Sequence, residues 1–323
     1  MVNAAVVGLG RWGQVLVNSV QGSEKIRFVA GTTRTPAKAE AFARERGFAM
    51  LADYAAVLAD PKVEAVVLAT PHTQHAEQVK AAAAAGKHVF CDKPFTLTRD
   101  SAAEAIAACR EAGVEIAVGH NRRFLPGYAD LARLIADGEL GTVLQVEGAV
   151  TGSGGFAYAP EGWRASPTES PAGGMTALGI HMVDALIGLL GPVAAVSALS
   201  WRRALPIAID DTTAMLLRFA SGAAGTLVTS PATVQNWRIQ VYGTKGAAEM
   251  RGETELVATR VGAKPEVRSY APMDKERAEL ECFADLLAGR GSYPVTDADA
   301  INGVAVLEQV ERSARAGTWI EVA

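Results

Sequence analysis

Two side chains in this sequence are suited to moving a proton. His181 lies in G173-G174-M175-T176-A177-L178-G179-I180-H181-M182-V183-D184, and Lys93 lies in C91-D92-K93-P94-F95. An imidazole titrates near neutrality, so it can take a proton and return it within one turnover. A lysine can hydrogen-bond a substrate oxygen and stabilise charge on it, or act as the acid/base itself. A catalytic imidazole commonly works beside a carboxylate. Four residues before His181 stands Ala177, and three after it stands Asp184. On a helix, positions 177, 181 and 184 share a face. Asp184 is therefore read either as a partner of His181 at the substrate or as a buried structural anchor. Pro94 restricts its own φ and the residue before it, so the turn carrying Lys93 is fixed. Asp92 either orients Lys93 or caps that turn.

A second set of residues binds rather than reacts. G8-L9-G10-R11-W12-G13 follows an apolar run at residues 4–8 and opens a helical pattern. In that context Gly8 permits a tight turn, Gly10 lets the backbone approach a pyrophosphate, and Gly13 lets helix and strand pack closely. Arg11 and Trp12 complete the loop. The prediction is a dinucleotide cofactor. The second strand ends in A30-G31-T32-T33-R34, and no carboxylate stands between Phe28 and Glu40. Thr32 and Thr33 offer hydroxyls and Arg34 a guanidinium, a set that suits a 2′-phosphate. NADP(H) is therefore favoured over NAD(H), although Arg34 could also stack on the adenine of either. T70-P71-H72-T73-Q74-H75 follows another strand. Thr70, Pro71 and His72 are assigned to the cofactor, as are Asp92 and Lys93 at the end of the next strand. His75 is read as a cofactor neighbour or as a structural hydrogen-bonding group. Arg122 and Arg123 (in N121-R122-R123-F124) and Arg164 (in W163-R164) are candidate anchors for substrate. Arg164 either binds substrate or braces its own loop.

These groups need a frame. Strands at 4–8, 26–32, near 48, 65–69, 88–91 and 115–118 alternate with helices at 36–46, 54–59, 74–85 and 100–111. That alternation predicts an α/β domain with a parallel sheet, with ligands at the carboxyl ends of its strands. The pattern changes at 119–124, so the domains are placed at 1–120 and 121–323. After a helix at 126–137, strands are predicted at 143–150, 193–199, 212–219, 223–229, 237–242, 247–250, 256–261 and 267–270. Links as short as S221-G222 permit hairpins and not crossovers, so this α+β domain has a large, mostly antiparallel sheet. Helices at 175–190 and 275–287 are assigned to one side of it. The other face is left open for a second subunit. A helix at 297–314 is expected to pack back on the fold. Residues 151–172, with Tyr158 and Trp163, form a long irregular loop, and such loops often serve a site.

Composition limits the function classes. The 323 residues are 49% hydrophobic and 20% charged, with a net charge of -4. That describes a globular chain of two domains with no nucleic-acid surface. Cys91, Cys109 and Cys282 form neither a disulfide framework nor a metal-ligand spacing, which points to a reducing cytoplasm and no metal. The N-terminus runs straight into the glycine motif, so no leader is expected. No apolar run reaches about 18 residues, so no membrane span is expected.

Taken together, the motifs resemble the Gfo/Idh/MocA oxidoreductases over essentially the whole chain. The matching pieces are G8-L9-G10-R11-W12-G13, T70-P71-H72-T73-Q74-H75, G86-K87-H88-V89-F90-C91-D92-K93-P94, N121-R122-R123-F124, W163-R164, and G173-G174-M175 leading to G179-I180-H181 and D184. The resemblance implies an N-terminal Rossmann domain and a second domain with an open antiparallel sheet. It implies NAD(P)-dependent oxidation or reduction of a sugar, cyclitol or related small molecule, and a homodimer or homotetramer formed through the sheet. It assigns Lys93 to substrate binding and proton transfer. The family's Glu-Lys-Pro stands here as D92-K93-P94, its usual Asn as His72, and the Asp of its second motif as Ala177. With Ala177 in place, the arginines could hold a carboxylated ring dihydrodiol. A catalytically silent, nucleotide-binding regulator on the same fold is the alternative from a different class.

Overall fold

The computed structural model describes residues 1–322. The chain folds as two compact units.

The first unit holds a six-stranded parallel sheet in the order β3-β2-β1-β4-β5-β6. Its elements are β1 (Val2–Val7), α1 (Arg11–Ser19), β2 (Ile26–Thr32), α2 (Glu40–Arg46), β3 (Ala49–Met50), α3 (Tyr54–Ala59), β4 (Ala65–Leu68), α4 (His75–Ala84), β5 (His88–Asp92), α5 (Arg99–Ala112) and β6 (Ile116–Gly119). The β4 run Ala65–Leu68 is wholly buried, as a parallel strand covered on both faces must be. Strand order reverses beside β1, between β2 and β4. That reversal makes the crevice in which such sheets bind ligands.

The second unit continues with α6 (Pro126–Ala136), β7 (Val143–Thr151), α7 (Ile180–Leu190), β8 (Val193–Trp201), β9 (Thr212–Phe219), β10 (Ala224–Ser230), β11 (Asn236–Gly243), β12 (Gly246–Arg251), β13 (Glu255–Arg260) and β14 (Glu266–Ser269). Then come α8 (Lys275–Leu287), α9 (Asp297–Ala316) and β15 (Ile320–Glu321). The second sheet has nine strands in the order β14-β13-β12-β11-β7-β10-β9-β8-β15. Every neighbouring pair is antiparallel except β7–β10. One face of the sheet is packed by Leu131, Leu186, Ile187, Val306 and Leu307 from α6, α7 and α9. The C-terminal α9 thus lies on the core of the second sheet. On the other face Leu199, Leu216 and Val228 are exposed.

Three expectations are corrected. Helix α8 does not cover the second sheet. Residues 274–297 belong to the first unit, so the chain beyond 121 is not one continuous domain. The reason is specific packing: Phe283 meets Phe90 of β5 edge-on at 5.8 Å. Glu281 accepts from Ser23, and Asp285 pairs with Lys25 at 2.6 Å. Residues 36–46 are not one helix, because a 3-10 turn at Pro36–Lys38 precedes α2. Residues 175–190 are not uniformly α-helical either. Met175–Gly179 form a π-helical turn before α7 begins. Single π turns inside helices recur at functional sites.

Candidate active site

The glycine loop is shaped by three different steric demands. Gly8 has φ +97°, and a Cβ there would lie 2.5 Å from the Ala69 carbonyl oxygen. A Cβ on Gly13 would lie 2.0 Å from the Gly8 oxygen. A Cβ on Gly10 would meet nothing within 4 Å. The loop is therefore closed where strand and helix pack, and open at Gly10. Gly10 is the N-cap of α1 and supplies no side-chain cap, and the first turn contains no acidic residue. The first N–H groups of α1 are left to an anion, which is the natural ligand of a helix N-terminus. These residues fit the pyrophosphate of a dinucleotide.

Around this loop the predicted cofactor residues divide. The Gly8 N–H donates to the Thr32 carbonyl at 2.9 Å. The Thr32 side chain is buried, so its part is to tie the loop to β2. Thr33 is half-buried, while Arg11 and Arg34 are exposed. The indole of Trp12 is half-buried beside the loop. The Thr70 hydroxyl donates to Gln78 Oε1 at 2.5 Å. Pro71 caps a 3-10 turn at His72–Gln74. His72 is buried, and its ring meets that of His75 edge-on at 5.9 Å.

Of the two readings of His75, its contacts fit the structural hydrogen-bonding group. It is completely buried. Its Nε2 lies 3.1 Å from the Thr70 carbonyl oxygen, and its Nδ1 lies 3.0 Å from that of Pro94 and 3.2 Å from that of Phe95. One ring therefore ties the loop after β4 to the loop after β5. The second loop carries Lys93. Asp92 ends β5 and pairs with Gly119 of β6. The Lys93–Pro94 peptide is cis. The Cys91 thiol donates to the carbonyls of Asp92 and Phe95, and burial pushes that thiol's pKa well up. Asp92 and Lys93 are half-buried at the carboxyl edge of the sheet, over a buried Phe95. Lys93 thus stands on a turn fixed from both sides.

In the second unit, His181 sits in the first turn of α7 and is 5% exposed. The π turn ahead of it is anchored by the Thr176 hydroxyl, which donates to the Pro171 carbonyl. Ala177 is half-buried on that turn. Asp184 is 2% exposed, and both of its oxygens accept from Arg123, at 2.8 and 2.9 Å. Of the two readings of Asp184, these bonds fit the buried structural anchor. Arg122 takes a different course. Its guanidinium lies 5.0 Å from the Trp237 ring centroid and 3.7 Å from Glu253. Arg164 stacks on Trp163 at 4.0 Å, and its carbonyl accepts from the Ser170 hydroxyl.

The loop bearing Arg164 is more ordered than its composition implies. Two 3-10 turns, Gly154–Ala157 and Trp163–Ala165, interrupt it. Ala165 packs with Leu205, Ile207 and Ile209 in a small separate core, joined by Tyr158. The anchor of the facing loop is Asp211, which the sequence reading did not single out. Its carboxylate accepts from the backbone of Arg203, Ala204 and Leu205, with the last two at 2.7 and 2.8 Å. Burial alone would raise its pKa. The backbone donors of Leu205, Ala204 and Arg203 outweigh that and hold the carboxyl below its usual range. Gly188 was also missed. A lone glycine inside the apolar run A185-L186-I187-G188-L189-L190 does signal close approach by another group.

Among the described residues, no group of three His, Cys, Asp or Glu side chains converges as a metal site, and no helix is long and apolar enough to cross a membrane.

Known proteins share this fold. Residues 2–120 match the oxidoreductase family with an NAD-binding Rossmann fold, and residues 128–249 match the GFO/IDH/MocA C-terminal domain. The chain is 30% identical to the scyllo-inositol 2-dehydrogenase (NAD+) of Bacillus subtilis (strain 168), covering 99% of this chain and 96% of that one. It is 28% identical to D-xylose 1-dehydrogenase (NADP+) 2 of Haloferax volcanii, covering 95% of each. The crystal structure of aldose-aldose oxidoreductase from Caulobacter crescentus, complexed with glycerol, superposes with a TM-score of 0.88 at 27% identity over 99% of both chains. The phosphate cradle, the Lys93 turn and the two-sheet plan all lie within these matches, and the chain belongs to the Gfo/Idh/MocA family of NAD(P)-dependent oxidoreductases.

Proposed function

We propose that this enzyme moves a hydride between a nicotinamide and a hydroxyl-bearing carbon of a sugar, cyclitol or related small molecule. The observation that carries this reading is the Lys93 turn. It is locked by His75 and Cys91 at the carboxyl edge of the same sheet that forms the phosphate cradle. The bound nicotinamide supplies the hydride acceptor or donor. The chain supplies position and proton handling. His181 takes the hydroxyl proton during oxidation. Lys93 hydrogen-bonds a substrate oxygen and stabilises charge on it. Gly10 and the α1 N-terminus hold the phosphates.

Arg34 and Thr33 support NADP(H) over NAD(H). Both remain accessible at the end of β2, and a guanidinium matches a phosphate in geometry.

A second substrate reading has a specific basis. Ala177 removes one acceptor for substrate hydroxyls. Of the three candidate arginines, Arg123 forks onto Asp184 and Arg164 stacks on Trp163. Arg122 is held by an aromatic face and by a distant carboxylate at 3.7 Å. A guanidinium matches a carboxylate in geometry, so a carboxylated ring diol is the alternative. The exposed apolar face of the second sheet supports a homodimer or homotetramer. The cysteine usage supports a cytoplasmic setting.

The test is turnover of NADP+ with a panel of myo-inositol, D-xylose, D-glucose and D-glucuronate. Reduction with a neutral member supports the first reading, and strict preference for the acid supports the second. Tight dinucleotide binding with no turnover across a broad panel would point instead to a silent regulator.

A further inference from the structure

We infer that the Arg123–Asp184 pair, seated in a notch at Gly188, is the device that sets the height and roll of the helix bearing His181. This rests on the reading of His181 as the proton-transfer group. His181 and Asp184 are three residues apart on α7 and share a face. Asp184 is gripped through two bonds, Arg123 Nε to Oδ2 at 2.8 Å and Nη2 to Oδ1 at 2.9 Å. A single contact would let the helix swivel. A planar fork fixes the carboxylate in two directions at once, and a lysine at the same place would not. The pair is buried, with side-chain exposures of 6% and 2%, so solvent offers no substitute for either partner.

The notch makes the fit specific. One turn beyond Asp184, a Cβ on Gly188 would lie 1.7 Å from Arg123 Nη1 and 2.4 Å from the Tyr128 hydroxyl. Glycine therefore lets the guanidinium lie against the helix backbone. The Tyr128 hydroxyl donates to the Ala185 carbonyl at 3.0 Å, and the Arg123 guanidinium lies 5.9 Å from the Tyr128 ring centroid. Asp299 on α9 faces the same guanidinium, accepting from Nη2 at 3.5 Å. Burial lowers the Arg123 pKa, but Asp184 and Asp299 raise it further, so the cation persists. Three segments thus converge on one stretch of α7. A shift of the helix by one residue would turn it by about 100° and break both bonds. Arg123 and Asp184 are positioning residues, acting through His181.

The experiment reads the histidine ring itself. The chain has five histidines, so their ring signals are separable by NMR, with His181→Gln assigning its own. Removing one partner would strand a buried charge and can unfold the protein. The main variant is therefore the double exchange Arg123→Met with Asp184→Leu, which removes both charges. Arg123→Lys keeps the charge and loses the fork. In both folded variants the His181 ring signal is expected to move or broaden. The signals of His72, His75 and His88 in the first unit are expected to stay in place. Turnover of D-xylose or scyllo-inositol should fall about tenfold or more at an unchanged dinucleotide Kd. That loss should not add to the loss in His181→Gln. An unmoved His181 signal in the folded double variant would overturn the proposal, as would a loss fully additive with His181→Gln. The His181→Gln variant by itself tests the proton-transfer reading, and the ring signal tests the clamp whether or not that reading holds.

Discussion

A methyl group on Gly13 would lie 2.0 Å from the carbonyl oxygen of Gly8, whereas one on Gly10 would touch nothing. Two glycines of one motif are thus required for different reasons, and alanine substitution separates them. Gly13→Ala forces the turn and α1 apart, so it should lower both Tm and dinucleotide affinity. Gly10→Ala should leave Tm unchanged and weaken NADPH binding by about tenfold or more, because its methyl stands where the pyrophosphate must approach. Thermal melts and calorimetric titration with NADPH check both. Equal behaviour of the two variants would contradict the steric division.

Cofactor choice should follow Arg34. It is exposed at the end of β2, so truncation costs little packing. Arg34→Ala should weaken NADP+ binding by about tenfold, the scale of one charge-assisted contact, and leave NAD+ within about twofold. Equal losses for both nucleotides would show stacking on adenine instead.

The Asp211 carboxylate gives a pH dependence of known sign. Its folded pKa lies below its ordinary value, so the unfolded chain binds more protons in the window between the two. Its contribution is complete above the ordinary carboxylate pKa and is lost as pH falls through the folded value. Asp211→Asn should destabilise by about 1–3 kcal/mol at neutral pH. The gap from the parent should close as pH falls through that window. Melting curves across acid pH test this, and a gap independent of pH would contradict it.

The open sheet face should carry the oligomer contact. Val228 pairs with Ala214 on β9 and with Ala149 on β7, and Ala214 pairs with Leu199 on β8. These residues form an apolar strip beside the Arg238–Glu147–Glu249 cluster. Glutamate at Val228 would place a charge in that strip. Val228→Glu should sediment as a monomer, with its melting behaviour otherwise that of a folded chain. A parent that is itself monomeric would contradict the assignment.

The site was legible in the sequence where one residue has one local demand. G8-L9-G10-R11-W12-G13 could be read because each glycine answers a steric problem within a few residues. Lys93 could be placed because Pro94 and the end of β5 are its neighbours in sequence. What failed needed knowledge of distant contacts. Amphipathicity shows that α8 has a face to bury, but not that Phe283 meets Phe90. The Arg123–Asp184 bond spans 61 positions, so N-R-R-F could not say which arginine is consumed. For His75 the structural role was legible but its partners were not, because its three carbonyl neighbours lie in two separate loops. The π turn at Met175–Gly179 was invisible because five residues scarcely distinguish its period from that of an α-helix.

The central claim is hydride transfer with Lys93 at the reacting oxygen. It is tested most directly by Lys93→Ala, measured as nicotinamide reduction with whichever panel member the parent turns over. The expected result is a loss of kcat/KM of about tenfold or more with the NADP+ Kd unchanged. A Lys93→Ala enzyme that turns over at the parental rate would contradict the account.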